Sequence, residues 1–275
     1  MILEAKYMDL MYGKKPKIKD VNIREVSCKT ALSDSGLESD YALNPYTGCS
    51  HGCKYCYAPF VTKEKREWGS FVDVKRNIPK ILADELDRKE KGIVRIGSVT
   101  DPYQEIEKDY QLTRMCLEQL KKKEFPIIVQ TKSDLVTRDI DIYEDMDVDI
   151  GLTITSIGDD FREIFEPNAP TIEKRFEALR KLVEAGLNTW VFIGPLVPYK
   201  NDDADRLMQL AEKLQKMGVS EIYIDKLNMR EGIWPNLQEI LDEQLLKEFE
   251  KIFKGNEDYF QDRKNIYKQI GRPVF

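Results

Sequence analysis

The stretch NPYTGCSHGCKYCYAPF, residues 44–60, holds three of the five cysteines of this chain. Cys49, Cys53 and Cys56 are separated by three and then two residues, and Tyr55 directly precedes the third cysteine. Thiolates are soft ligands that suit zinc or iron–sulfur clusters. Three thiolates from one loop can hold three irons of a [4Fe–4S] cluster and leave the fourth iron open to another ligand. The spacing therefore predicts a metal centre with one open coordination position.

The composition of the 275 residues indicates a water-soluble globular protein, with 41% hydrophobic and 33% charged residues. The formal net charge of −6 argues against a broad basic surface for duplex DNA. No basic segment followed by an apolar one opens the sequence, and no apolar run approaches the ~18 residues that suggest a membrane span. We therefore expect a cytoplasmic protein without a membrane anchor, in a compartment that keeps thiols reduced.

Short runs rich in β-branched and aromatic residues follow the cysteines and predict strands. These runs cover residues 92–100, 125–131, 148–155, 187–194 and 219–227. Helical patterns lie between them, and the clearest, at 171–186 and 202–218, repeat apolar residues with helical spacing and end at glycine. Weaker helical patterns occur at 77–92 and 110–124.

Strands that alternate with helices of this length form βαβ units around a parallel sheet. The run YALNPYTG before the cysteines adds a first strand, which gives six units. Six units are too few for a closed eight-stranded barrel, so the sequence predicts an α/β fold with a partial (β/α)6 barrel. We expect this barrel at residues 41–230, an N-terminal extension at 1–40 and a C-terminal segment at 231–275. Within that segment, the pattern at 236–254 predicts one long amphipathic helix.

The motif Cys-x3-Cys-x-aromatic-Cys resembles the signature of the radical S-adenosylmethionine (SAM) superfamily. The resemblance implies a [4Fe–4S] cluster on Cys49, Cys53 and Cys56, with SAM chelating the open iron through its amino and carboxylate groups. It also implies an enzyme that cleaves SAM reductively to methionine and a 5′-deoxyadenosyl radical, which abstracts hydrogen from a substrate. A reductant such as ferredoxin or flavodoxin is then expected as a partner. The implied fold is a partial (β/α)6 barrel whose cysteine loop follows the first strand.

The segments NPYTGCSHGCKYCYAPF, GSVTDPYQ and TKSDLVTRDID together resemble the branch of this superfamily that includes spore photoproduct lyase. That lyase repairs a thymine dimer in DNA and uses a cysteine thiol as hydrogen donor. The corresponding position here, aligned on Asp101, falls at Ser98 or Val99, and neither is a thiol. A serine O–H bond is too strong to donate a hydrogen atom to a carbon radical, so the lyase reaction cannot simply be carried over. The catalytic candidates are Ser98, by its position, and Tyr57, because tyrosine can relay a hydrogen atom.

Polar residues at the carboxyl ends of the predicted strands are candidates for binding SAM, because ligands of parallel α/β folds bind at that edge. The candidates are Tyr55 beside the cysteines, Ser98, Thr100 and Asp101 after the second strand, Lys132 after the third, Thr153, Thr155 and Ser156 at the end of the fourth, and Arg175 on the next helix. Lys132 and Arg175 suit the carboxylate of SAM because both are cationic. Each candidate has an ordinary alternative, which is turn formation for the strand ends and a solvated helix face for Arg175.

Two other functions fit parts of the sequence. One is a DNA-lesion lyase, which requires a thiol donor and a basic face. The other is a non-enzymatic zinc or iron–sulfur module, in which His51, the single histidine, completes a Cys3His site. His51 lies inside the cysteine run, where closing a tetrahedron with three thiolates is difficult, and Cys28 and Cys116 make no second knuckle. The substrate is left open between a small molecule, a peptide and a nucleotide, with duplex DNA disfavoured by the acidic charge.

Overall fold

The computed structural model describes residues 20–36, 38–230, 232–254 and 259–274 of the chain. Within these ranges the strands, numbered in chain order, are β1 (Asn22–Val26), β2 (Leu32–Asp34), β3 (Tyr41–Leu43), β4 (Tyr46–Thr47), β5 (Phe71–Lys75), β6 (Val94–Ile96), β7 (Ile127–Thr131), β8 (Val148–Thr153), β9 (Asn188–Leu196), β10 (Glu221–Lys226) and β11 (Arg272–Pro273). The helices are α1 (Ala58–Val61), α2 (Ile78–Leu86), α3 (Glu107–Tyr110), α4 (Leu112–Lys122), α5 (Ile140–Tyr143), α6 (Asp160–Phe165), α7 (Ile172–Glu184), α8 (Ala204–Lys216), α9 (Ile233–Ile240), α10 (Glu243–Lys254), α11 (Tyr259–Asp262) and α12 (Lys264–Ile270). A 3₁₀ helix at Asp134–Asp139 follows β7.

A sheet of eight strands in the order β11-β10-β9-β8-β7-β6-β3-β2 forms the framework of the described chain. Its six inner strands, β3 and β6 to β10, follow one another in chain order, and each neighbouring pair among them is parallel. Helices lie in each connection between these strands. β2 is antiparallel to β3 at one edge and β11 is parallel to β10 at the other, so the sheet is open. The predicted α/β fold with a partial (β/α)6 barrel is confirmed.

Helix α7 shows how the local sequence places the outer helices against the sheet. Thr171 begins the helix, since its side-chain oxygen accepts a hydrogen bond from a backbone N–H in the first turn at 3.4 Å. Ile172, Phe176 and Leu179 follow at helical spacing and are buried in the core. Gly186, just beyond the helix, has a φ of +75°, a left-handed conformation that glycine adopts without strain. The helix predicted there is confirmed.

Each inner strand buries one face against the helices and turns the other toward the inside of the partial barrel. In β6, Val94 and Ile96 are fully buried in the core, which also contains Leu82 of α2 and Leu117 of α4. Because side chains alternate along a strand, Arg95 between them lies on the opposite, inner face. The core therefore lies between the sheet and its helices, and the inner face is left for other contacts.

Part of the predicted N-terminal extension belongs to the two sheets. β1 is parallel to β5 in a three-stranded sheet of order β1-β5-β4, and β2 pairs with β3 in the larger sheet. Arg24 of β1 contacts the carboxylate of Asp73 in β5 at 3.1 Å and so connects the two strands, and Arg66 contacts the same carboxylate at 2.9 Å. Residues 1–19 of the extension lie outside the described residues.

The C-terminal segment contains two helices where the sequence predicts one at 236–254. α9 and α10 are separated by Leu241 and Asp242. Leu241 is extended and buried, and the Asp242 carboxylate accepts a hydrogen bond from the backbone N–H of Leu245 at 2.8 Å. Burial of Leu241 interrupts the first helix, and Asp242 then caps the start of the second. The prediction of one continuous helix is wrong for this reason.

The helices of the described ranges are short. α7 and α8, with 13 residues each, are the longest among them. None of the described helices combines the length and the apolar character that crossing a membrane requires.

Replacing Leu179 by alanine is expected to lower the free energy of unfolding by about 2–5 kcal/mol, because this fully buried side chain would leave a cavity beside α7. Urea unfolding followed by circular dichroism measures the change. Glu184→Ala, on the exposed side of the same helix, is the control and should have a much smaller effect. Equal effects of the two changes would show that α7 does not pack through Leu179.

Candidate functional site

The three cysteines lie on a tight loop between β4 and α1. Gly48, before the first cysteine, has a φ of +86°, and a Cβ there would lie 2.5 Å from a carbonyl oxygen of β5. Backbone hydrogen bonds of 3.4 and 3.1 Å close one turn after Cys49 and another after Cys53. Cys49 and Cys53 are buried, and Cys56 is partly buried. The close approach to β5 therefore requires glycine at position 48, and the loop brings all three thiols inside the protein.

The three thiols influence one another. Burial raises the pKa of each of them, and that of Cys53 to about 12. Burial raises the pKa of Cys49 most, and the charge of Asp101 raises it further. Cys53 also raises this pKa, because two neighbouring thiolates repel each other. The side chains therefore lie within electrostatic reach of each other. A metal centre relieves this repulsion, since it binds thiols in the deprotonated form.

Two of the thiols accept hydrogen bonds from the surrounding protein. The backbone N–H of Asp101 donates to Cys49. Cys56 accepts from the backbone N–H of Ala58 and from the side chain of Trp68. These donors oppose the larger effect of burial and lower the pKa of the thiols that they reach. Hydrogen bonds to the sulfur ligands are one means by which proteins set the potential of an iron–sulfur cluster.

Among the described residues, the cysteines and His51 do not form a site for a single metal ion. Thiolates on one zinc ion, each ~2.3 Å from the metal, lie within about 4 Å of one another. Within the described ranges, no three histidine, cysteine, aspartate or glutamate side chains are placed to hold one metal ion. The Nδ1 atom of His51 instead lies 3.4 Å from Oδ2 of Asp101. Burial lowers the pKa of His51, which keeps its ring neutral. Among the described residues, the Cys3His arrangement is not formed.

The end of β6 holds the cysteine loop in place. Thr100 donates from Oγ1 to the carbonyl oxygen of Gly48 at 2.6 Å. Gln104 donates to Thr100 Oγ1 at 2.9 Å and accepts the backbone N–H of Ser50 at 2.8 Å. Thr100, Gln104 and Ser50 are buried, so these hydrogen bonds are protected from water. Thr100 thus positions the loop, and its direct contact with SAM stays a prediction.

Asp101 joins the ends of β6 and β7. Its Oδ1 accepts hydrogen bonds from Thr131 Oγ1 at 2.6 Å and from the backbone N–H of Tyr103 at 2.9 Å. Its Oδ2 accepts the backbone N–H of Lys132 at 2.8 Å and also faces His51. The carboxylate therefore fixes the relative position of two strand ends. Binding of SAM by Asp101 stays a prediction.

Buried polar contacts connect Tyr55 with Arg175 through Glu166. The Tyr55 hydroxyl donates to one carboxylate oxygen of Glu166, and Arg175 pairs with the other through Nη2. Arg175 also donates from Nη1 to the carbonyl oxygen of Thr153 at 3.1 Å and from Nε to a second carbonyl at 3.0 Å. Burial alone would raise the pKa of Glu166, but Arg175 and then Lys132 lower it, so the carboxylate stays charged. The guanidinium is thus engaged by protein groups, and its contact with SAM stays a prediction.

Lys132 has its side-chain ammonium open to a ligand. Its Nζ lies 5.6 Å from the ring centroid of Tyr55. Burial would lower the pKa of Lys132, but the neighbouring Cys53 and then Glu166 raise it, so the side chain is charged. In the part of the chain that the structure describes, no hydrogen bond or ion pair engages this ammonium. A cation beside the cysteine loop suits the carboxylate of SAM, and its binding by Lys132 stays a prediction.

The two catalytic candidates, Tyr57 and Ser98, are in contact. The Tyr57 hydroxyl donates to the backbone carbonyl oxygen of Ser98, while the Tyr57 side chain is 45% exposed. Asn44 holds the other side of Ser98, donating to its Oγ at 3.0 Å and accepting the backbone N–H of Val99 at 3.1 Å. The structure therefore places Tyr57 at the accessible rim of the cysteine loop. Catalysis by either residue stays a prediction.

The end of β8 supplies one hydroxyl without a partner. Thr153 Oγ1 accepts from Gln130 at 3.3 Å, and Ser156 Oγ donates to the carbonyl oxygen of Gly158 at 2.6 Å. The buried Oγ1 of Thr155, by contrast, has no hydrogen-bond partner among the described residues. Buried polar atoms are normally paired, and an unpaired one at a strand end fits a site for a bound polar group. This observation is compatible with the predicted binding of SAM at the end of the fourth parallel strand.

Sequence reasoning misses Asn44, Gln104 and Glu166. Asn44 and Gln104 lie inside the segments that resemble the superfamily. The sequence therefore indicates their region but not the hydrogen bonds that they make. Glu166 lies 111 residues from Tyr55, and no local pattern indicates that the two side chains meet. These contacts arise from the way the strand ends and loops converge.

Residues 43–211, more than half of the chain, match the model of the Radical SAM superfamily, and the chain belongs to this superfamily. An uncharacterized protein of Methanocaldococcus jannaschii is 36% identical over 182 residues, which cover 65% of this chain and 69% of that protein. Spore photoproduct lyase complexed with dinucleoside spore photoproduct superposes with a TM-score of 0.65 at 18% identity, covering 80% of this chain and 68% of the lyase. A mutant of that lyase with bound AdoMet and dinucleoside spore photoproduct also gives a TM-score of 0.65, at 16% identity and with coverage of 88% and 80%. At these identities the likeness shows the fold, which is of the spore photoproduct lyase kind.

Replacing Arg175 by methionine is expected to lower the free energy of unfolding by about 3–5 kcal/mol, because it leaves the Glu166 carboxylate buried without its partner. Urea unfolding at neutral pH measures the change. The double variant Arg175→Met with Glu166→Gln removes the orphaned charge and should recover part of the loss. Unchanged stability of the single variant would contradict a buried ion pair.

Proposed function

We propose that the chain is a radical SAM enzyme that holds one [4Fe–4S] cluster through Cys49, Cys53 and Cys56. When bound, the cluster and SAM would supply, after one-electron reduction, methionine and a 5′-deoxyadenosyl radical able to abstract hydrogen from a substrate. The observation that carries the proposal is the loop that brings three thiols inside the protein and is fixed to the barrel, in a chain of this superfamily. A reductant such as ferredoxin or flavodoxin and a cytoplasmic location belong to the same proposal.

The surrounding residues are proposed to hold SAM beside the three cysteines. Lys132 would bind the carboxylate, because its ammonium is charged and has no hydrogen bond or ion pair with the described residues. The Thr155 hydroxyl would bind a polar group of the ribose or the amino acid portion. Tyr55, fixed by Glu166, would form part of the wall. Thr100 would act indirectly, since its hydroxyl keeps the cysteine loop in position.

DNA-lesion repair of the spore photoproduct kind is the second candidate, and the fold likeness is what favours it. Neither of the cysteines outside the loop replaces the missing thiol donor in a simple way. Cys116 is fully buried in the core, and the backbone of Cys28 makes two hydrogen bonds with the side chain of Asn77. Ser98 and Val99 occupy the position where a thiol would be needed. A gel shift with lesion-containing DNA at low salt tests this candidate.

Anaerobic reconstitution with iron and sulfide is expected to give about four irons per chain and a brown protein. After reduction, this protein should convert SAM to 5′-deoxyadenosine, measured by chromatography. Cys53→Ala should abolish that product, because it removes one of three ligands. Cys28→Ala, the same change outside the cysteine loop, should retain it. Full activity of Cys53→Ala, or one zinc per chain in place of iron, would reject the proposal.

Lys132→Met is expected to weaken SAM binding at least about tenfold, since a charge-assisted hydrogen bond contributes about 1.5–3 kcal/mol. Equilibrium dialysis of the reconstituted protein with labelled SAM measures the dissociation constant. Lys121→Met, which removes a lysine paired with Asp145 at the surface, is the matched control and should bind as the native chain does. Equal affinities of the two variants would remove Lys132 from the proposed site.

A further inference from the structure

The inner face of the barrel carries side chains that the cysteine site does not use. In β9, Trp190 and Phe192 alternate with residues that are fully buried against the helices, so both lie on the inner face. In β10, Tyr223 lies between two such buried residues and faces inward in the same way. Arg95 of β6 is a cation of this face, and Arg272 of β11, which pairs in register with Tyr223 and lies 5.9 Å from its ring centroid, is another. Arg95 and the three aromatic side chains are partly buried, as expected for the walls of an open cavity.

The curvature of the sheet brings Tyr223 toward Arg95. β6 and β10 are four strand spacings apart in the sheet, a path of about 19 Å along it. Tyr57 and Tyr223 nevertheless both act electrostatically on Arg95, which requires that the curvature of the sheet brings them near it. Tyr57 in turn reaches the carbonyl oxygen of Ser98 beside the cysteine loop. The guanidinium therefore lies between the cysteine loop and the opposite wall of the barrel.

The guanidinium of Arg95 has no partner within the described parts of the chain. Its Nε atom is buried without a hydrogen bond, and no carboxylate lies within ion-pair distance. Its register neighbours on the inner face, Ala42 and Ile128, have no polar side-chain atom. Glu38 is exposed and acts on Arg95 from further away. Arginine keeps its proton even where burial lowers its pKa, so a charged group is held here partly desolvated and uncompensated.

Trp190 and Tyr223 form an aromatic wall across from this cation. Their ring centroids are 5.4 Å apart and the rings are nearly perpendicular, at 88°. The indole of Trp190 lies over Gly151 of β8, where a Cβ would come within 2.2 Å of the ring. Glycine at position 151 therefore makes room for the indole on the inner face. A wall of this kind packs well against a planar or apolar group.

We propose that the barrel cavity binds a substrate that carries a carboxylate or phosphate group, held by Arg95, and a planar portion that packs against Trp190 and Tyr223. The fork of donors in arginine matches both anions, and the partly dry surroundings strengthen the contact. The inference rests on the proposed function, because it assigns the substrate class of the same site. In this proposal Arg95 is a specificity-determining residue, and it is distinct from the residues that hold the cysteine loop.

Calorimetric titration of the reconstituted protein with three probes tests the inference. The probes are phenyl phosphate, phenylacetate and the neutral 2-phenylethanol. At least one anion is expected to bind the native chain tenfold or more tightly than the neutral probe, and the better anion identifies the group. Arg95→Gln should weaken that binding at least tenfold, and Arg95→Lys should be intermediate because it keeps the charge but loses the fork. Arg180→Gln, on the outside of α7, is the matched control and should bind as the native chain does.

Urea unfolding accompanies the titration. Because no protein group bonds to the Arg95 side chain among the described residues, Arg95→Gln is expected to keep the native unfolding midpoint. Three results would overturn the inference. They are equal affinity of the native chain and Arg95→Gln for the anions, equal affinity of the native chain for the neutral probe and the anions, and no binding of either anion at millimolar concentration. The titration does not depend on formation of 5′-deoxyadenosine. A chain that binds the anion through Arg95 but forms no 5′-deoxyadenosine refutes the proposed function and leaves the anion site standing.

Discussion

Two buried hydrogen bonds to the carbonyl oxygen of Gly48 hold the cysteine loop on the barrel. Thr100 supplies one at 2.6 Å and Gln104 the other at 3.3 Å, and Gln104 also accepts the backbone N–H of Ser50. The backbone is thus fixed on both sides of Cys49. Since an unpaired backbone group costs free energy inside a protein, other paths for this loop are disfavoured. The positions of the thiols, and every contact that depends on them, follow from this attachment.

Charge at the carboxyl edge is arranged so that one cation stays available. Glu166 and Arg175 neutralise each other in a fully buried pair, and Asp101 is surrounded by protein donors. Lys132, near Cys53 and over the ring of Tyr55, is left without a hydrogen-bonding partner in the described chain. The pair stabilises the surroundings only as a unit, because either member alone would be a buried, uncompensated charge. The remaining positive charge favours anionic groups beside the cysteines.

The edge and the inner face of the partial barrel carry different sets of residues. The edge presents the cysteine loop and the strand ends, which the cofactor proposals concern. The inner face presents Arg95, Trp190 and Tyr223, which take no part in holding the loop. A shared fold does not fix a shared substrate, since specificity depends on the side chains of the site. The likeness to spore photoproduct lyase therefore describes the framework, and it does not identify the substrate.

The sequence by itself determined the superfamily, through its cysteine motif, and the order of the six βα units. Both are local properties: ligand spacing lies within one loop, and hydrophobic periodicity lies within single elements. It also marked Thr100, Asp101 and Arg175, but only the tertiary structure showed that their polar atoms bond to protein groups. Ser50 meets Gln104 across 54 residues and Tyr55 meets Glu166 across 111, distances over which no sequence pattern reports contact. The interruption of the helix at Leu241 and the lack of a partner for Arg95 among the described residues likewise became visible only in the tertiary structure. Both depend on burial, which is set by the parts of the chain that pack against each residue.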